Sequence, residues 1–172
     1  ESHQPGAIRL QATEHVSLSG ATYVSGSSIE IQSATDTVEI SGSAVSLGAV
    51  DRVELDAAQL LRVDASAISA NFIKLRAHDR IQSNATVYSG SDLVMDGGAL
   101  IDLQQIDFST LTSISLGAQT LVLADVTFPT SGEIHLQSQL GQLAANPNSN
   151  AAAQTGYVNF IPNVTVGNSP AQ

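Results

Sequence analysis

A five-residue phrase, apolar, polar, apolar, polar, small, recurs along most of this chain and is plainest in Val53-Glu54-Leu55-Asp56-Ala57. Its period of two sets Val53 and Leu55 on one side of an extended strand and Glu54 and Asp56 on the other, so each copy predicts a strand with one face to bury. The phrase returns as Ile8-Arg9-Leu10-Gln11-Ala12, Val16-Ser17-Leu18-Ser19-Gly20, Ile29-Glu30-Ile31-Gln32-Ser33 and Val38-Glu39-Ile40-Ser41-Gly42. It continues as Leu61-Arg62-Val63-Asp64-Ala65, Ile73-Lys74-Leu75-Arg76-Ala77, Leu93-Val94-Met95-Asp96-Gly97, Ile114-Ser115-Leu116-Gly117 and Ile134-His135-Leu136-Gln137-Ser138.

Equivalent strands of a solenoid must return after a near-constant number of residues. One series runs Ile8, Ile29, Val53, Ile73, Leu93, Ile114 and Ile134, with steps of 21, 24, 20, 20, 21 and 20. A second runs Val16, Val38, Leu61, Ile81, Ile101 and Leu121, and a weaker third runs Val24, Val45/Leu47, Ile68/Ala70, Val87/Ser89, Ile106/Phe108 and Val126/Phe128. Three interleaved series predict three sides. A hairpin sandwich would need tight reversals at most connections, and only Asp96-Gly97 qualifies as one. The expected fold is all-β: a single-stranded, three-sided β-helix (β-solenoid) of about six to seven coils of roughly 20–24 residues, with a C-terminal extended segment. At ~4.8 Å per coil the rod is about 30 Å long.

Composition narrows function. Apolar residues make up 42% of the chain and aromatic ones only 4%, so the core must be stacked aliphatics. A net charge of -10, with six scattered Lys and Arg, provides no basic patch for nucleic acid. No apolar run is long enough to span a bilayer. Cysteine is absent, and the four histidines share no ligand spacing, so neither a metal nor another cofactor is expected. No nucleophile elbow or phosphate loop occurs, and the acidic residues read as solvated surface, so the chain is not expected to be an enzyme. Its start at Glu1 instead of Met fits removal of a secretory segment.

The outward positions pair opposite charges one coil apart: Arg9 with Glu30, Glu54 with Lys74, and Glu39 with Arg62. The third side is expected to show Ser46, Ser69, Tyr88, Asp107 and Thr127, a hydroxyl-rich strip with hardly any cation. In the last coils Val94, Val122, Val126 and Phe128 add apolar residues, some expected outside, which would favour contact with another subunit. Beyond Ser138 the spacing of Leu136, Leu140 and Leu143 predicts a short helical turn, followed by a polar linker and the β-prone stretch from Tyr157 to Val166.

This division gives a β-solenoid over 1–138 and a cap, linker and extended strand over 139–172. Open β-helix ends recruit further strands unless they are capped, and a head-to-tail contact that does not close makes a filament. The expected subunit contacts are Ile8 and Leu10 at one end and Val122, Phe128, Ile134 and Leu136 toward the other. Tyr157, Val158, Phe160, Ile161, Val164 and Val166 would serve in an exchanged terminal strand.

The Ile-x-Leu-x-Ala and Val-x-Ile-x-Gly units, with Gly141-Gln142-Leu143-Ala144-Ala145-Asn146-Pro147-Asn148 and Tyr157-Val158-Asn159-Phe160-Ile161, resemble repeat-rich secreted β-helical exoproteins of the filamentous haemagglutinin kind. The resemblance implies an extracellular or cell-surface bacterial location and an architectural or adhesive role. Those passengers are far longer, a length that end-to-end assembly would recover; the cytoskeletal bactofilins are similar in that habit. The expectation is a filament subunit that polymerises with itself. The alternative is an adhesin or a glycan- or ice-binding module that uses the hydroxyl-rich side.

Overall fold

The computed structural model describes residues 6–129, 132–145, 157–160 and 165–167. Among the described residues it is an all-β solenoid of about six turns with no helix, and every strand pairing is parallel. Face A stacks β1 (Ile8–Ala12), β4 (Ser28–Ser33), β7 (Arg52–Ala57), the later parts of β9 (Ala67–Ala77) and β11 (Val87–Asp96), the first parts of β13 (Ser113–Thr127) and β14 (Glu133–Ala145), and β15 (Tyr157–Phe160). Face B stacks β2 (Val16–Ser19), β5 (Val38–Ser41), β8 (Leu60–Asp64), β10 (Arg80–Asn84), the first part of β12 (Leu100–Asp107), later parts of β13 and β14, and β16 (Thr165–Gly167). Face C stacks β3 (Thr22–Ser25), β6 (Ser46–Ala49), the starts of β9 and β11 and the ends of β12 and β13.

On faces A and B the register is the one the phrase predicts. Ile8 lies beside Ile29, Ile29 beside Val53 and Val53 beside Ile73, while Val16 lies beside Val38 and Val38 beside Leu61. Inward residues such as Ile29, Val53, Ile73, Leu61 and Ile101 are fully buried. The phrase's fifth letter has a structural cause as well. Ala12, Ser33, Ala57 and Ala77 stack at the corner between faces A and B, where the interior narrows. Gly97 follows in the next coil, and a Cβ there would sit 2.4 Å from Ile101 Cγ1.

The corner between faces B and C is built differently. One residue per coil takes a left-handed backbone: Gly20 (φ 67), Gly42 (φ 113), Ala65 (φ 48), Ala85 (φ 49), Gln105 (φ 55) and Asp125 (φ 56). Their backbones bond coil to coil, with the Ala65 amide donating to the Asn84 carbonyl at 2.8 Å and that of Ala85 to Gln104 at 2.9 Å. A Cβ in this region costs about 1–2 kcal/mol, partly returned because alanine restricts the unfolded chain. Ala85→Gly is therefore expected to stabilise the rod by about 0.5–1 kcal/mol, read as a raised urea midpoint; a lowered midpoint would refute this account of the corner.

Face C departs from the expected register. Tyr23, Leu47, Ile68 and Tyr88 form its inward column, and Tyr88 is fully buried. Val24 and Val87, expected inside, are instead 73% and 56% exposed. The position just before each face C strand points inward, held by Val45, Ser66 and Thr86 in successive coils, and in two of these it is polar. Ser66 and Thr86 are buried there, their hydroxyls donating to the carbonyls of Asp64 (2.8 Å) and Val63 (3.0 Å). A search for apolar alternation skips a satisfied hydroxyl and lands one residue late.

A second correction concerns the end of the solenoid. Leu136, Leu140 and Leu143 lie on strand β14 and not on a helical turn, and Leu143 is in register with Leu121. The stacking thus runs past Ser138, and β15 and β16 continue faces A and B.

Candidate interaction surfaces

Three surfaces distinguish themselves: the mixed-charge faces A and B, the first coil's open edge, and face C. On face A, Arg9 meets Glu30 at 2.8 Å and Lys74 meets Glu54 at 2.8 Å, as their one-coil spacing predicts. Arg52 adds an unforeseen contact to Glu30 at 2.6 Å. Arg62 meets Glu39 at 3.9 Å, again as the spacing predicts, and has a closer, unforeseen partner in Asp64 of its own strand at 2.5 Å. All six Lys and Arg (Arg9, Arg52, Arg62, Lys74, Arg76 and Arg80) lie on faces A and B.

Glu30 is the carboxylate these contacts perturb. The hydrogen bond from Arg52 holds it below the ordinary glutamate range, with desolvation opposing and the charges of Arg9 and Arg52 assisting. A carboxylate depressed on folding contributes stability that is present above its unfolded pKa and lost as pH falls through the folded value. The melting-temperature advantage of the natural chain over Glu30→Gln should therefore shrink between pH 6 and pH 3, an order-of-magnitude window around ordinary carboxylate values. A constant difference would show that the contact lacks ionic character.

Among the described residues, no group of three or more His, Asp or Glu is placed to hold a metal ion. No described helix is long and apolar enough to cross a membrane. The depressions are shallow. One of about 250 Å³ is bordered by Gln11, Glu30, Gln32, Glu54 and Asp56, and one of about 180 Å³ by Arg62, Asp64, Asn84, Asp102 and Gln104. Both are open runs of ladder side chains with no enclosed wall to exclude water.

The first coil differs from those behind it. Among the described residues β1, β2 and β3 each have a strand neighbour on one side only. Ile8, Leu10, Val16 and Tyr23 are partly buried, whereas their counterparts one coil on, Ile29, Ile31, Val38 and Leu47, are 0–1% exposed. Four interior side chains thus border an unpaired ladder.

The other expected contact residues fall in several places. Phe128, Ile134 and Leu136 are buried inside the rod, as is Val126, while Val122 and Val94 are half-buried on faces B and A. Tyr157, Val158 and Phe160 lie on β15, in register with Glu133, Ile134 and Leu136, and Val166 lies on β16 beside Leu143. Ile161 and Val164 fall outside the described residues.

Face C shows Thr22, Val24, Ser46, Gly48, Ala67, Ser69, Val87 and Ser89 outward through its first four coils, without a charged group. Among the described residues the large exposed apolar side chains are Val24, Val50 and Val87, and all three lie on this face or at its edge. Sequence reasoning missed that concentration because it placed Val24 and Val87 inside.

Comparison with protein-family models, curated proteins and solved structures finds no match to this chain.

Proposed function

We propose that the chain is an architectural protein, the rod-like subunit of an extracellular bacterial filament that grows by stacking one solenoid end on another. The first coil's partly buried Ile8, Leu10, Val16 and Tyr23, beside a ladder that is unpaired among the described residues, are the observation that supports it. Exposed ladders template further strands, and a coil added there would return these four side chains to the burial of their counterparts. The register at the other end suits the partner role. Val158, Phe160 and Val166 continue the sequence columns that begin with Ile8, Leu10 and Val16, so strands of a neighbouring copy would meet an unbroken repeat. The extracellular setting follows the resemblance to secreted β-helical exoproteins.

Negative-stain microscopy with light scattering tests this on the full chain, Leu10→Lys and a chain ending at Gln154, with circular dichroism confirming β structure in each. Fibres from the full chain that both variants lose would support tail-linked stacking. Monodisperse monomers from the full chain at every concentration would sink it. The alternative, a glycan- or ice-binding module, draws on the hydroxyls of face C, but with Tyr88 buried it retains Ser46 and Ser69 without the aromatic.

A further inference from the structure

The geometry points to face C as a lateral self-association surface, on which a second copy of this chain packs side by side. This goes beyond end-to-end stacking and does not depend on it. The argument begins with charge. Each copy carries a net -10, and faces A and B hold all the Lys and Arg together with the stacked carboxylates Glu30, Glu54 and Asp56. Two copies meeting through those faces would bring like charges together and desolvate ions already paired within the chain. Face C through its first four coils has no charge to bury.

Shape supports the same partner. The outward residues form two columns, Thr22, Ser46, Ala67, Val87 and Val24, Gly48, Ser69, Ser89, with neighbours in register coil by coil. The two valines stand at diagonally opposite corners of this grid. A two-fold axis in the plane of the face sets Val24 and Val87 of one copy against Thr22 and Ser89 of the other, whether the rods run parallel or antiparallel. Each larger side chain then meets a smaller one, and the central rows oppose only serine, glycine and alanine. Such a face is self-complementary, as a two-fold contact requires.

Area sets the strength. Four coils at ~4.8 Å by four residues at ~3.3 Å give roughly 250 Å² per copy, well below the ~800 Å² of a standard stable interface. The pair is therefore weak and concentration-dependent in isolation. It gains strength where several contacts act together, as between rods held in an array.

Because the chain has no cysteine, a single introduced thiol reports the contact directly. Ser69→Cys stands near the centre of the face, and Gln104→Cys, exposed on face B, is the control. With a short bis-maleimide linker, Ser69→Cys should give a covalent dimer whose yield rises with protein concentration, and Gln104→Cys should not. Adding Val87→Lys, at a position already exposed, should abolish the product without altering the circular dichroism. The same dimer should form in the Leu10→Lys background, which separates side-by-side pairing from end-to-end growth. Absence of the Ser69→Cys dimer, equal yield from Gln104→Cys, or indifference to Val87→Lys would each overturn the proposal.

Discussion

Phe108→Ala is expected to cost about 3–5 kcal/mol of stability, the range for truncating a fully buried aromatic residue. Phe108 is 0% exposed and is the middle ring of a three-ring column, with centroids 5.7 Å from Tyr88 and 5.6 Å from Phe128, both tilted. Its removal empties the centre of a coil whose other interior side chains are aliphatic and cannot swing across to fill the space. It also breaks both ring contacts at once. Each coil of a solenoid packs only on its neighbours, so the damage stays local, and the urea transition should split into two as the coils on either side lose their coupling. A loss under about 1 kcal/mol with a single sharp transition would mean the column is not a structural spine.

Gly90→Ala should have a comparable effect for a different reason. Gly90 has φ 152, and a Cβ there would stand 1.7 Å from the Ala70 carbonyl oxygen of the strand beside it. The obstacle is backbone, so no rotamer change relieves it; the strands must part, and the ladder between β9 and β11 must open. Backbone strain and overpacking together put the cost at about 2–5 kcal/mol. Gly117→Ala is the control, since the nearest atom to its added methyl is the Met95 carbonyl oxygen at 4.0 Å. That substitution should stabilise the chain by about 0.4–1 kcal/mol by narrowing the unfolded ensemble. If both variants melt alike, the close approach at Gly90 is not the constraint it is taken to be.

Burial of Tyr88 explains a residue that otherwise reads as an error in the repeat. Ser83 occupies an inward place on face B between Val63 and Leu103, so both of its neighbours in the column are aliphatic. Its hydroxyl meets the Tyr88 hydroxyl at 2.8 Å inside the rod, so each satisfies the other. Burial pushes the Tyr88 phenol well above the ordinary tyrosine range, with the Ser83 hydrogen bond opposing. A polar interior residue in an aliphatic column was the available signal that a buried polar partner lay elsewhere in the coil.

The columns to which Ile8 and Leu10 belong were legible, because the phrase alternates there as it does in the later coils; that these two are less buried than Ile29 and Ile31 was not. Face C as a surface was not legible, since its exposed valines were assigned to the interior.

By itself, the sequence determined that the chain is a three-sided solenoid and which residues share columns on faces A and B. There the side chains alternate without interruption, and a return of about 20 residues stacks like on like. Only the tertiary structure decided the phase of face C. The left-handed residue before it, at Ala65 and Ala85, turns the chain without a fixed residue signature. The next inward place is held by Ser66 and Thr86, whose hydroxyls are satisfied by carbonyl oxygens across the corner. Hydrophobic pattern measures transfer from water, and a hydroxyl bonded inside the rod is hidden from it until the coils are stacked.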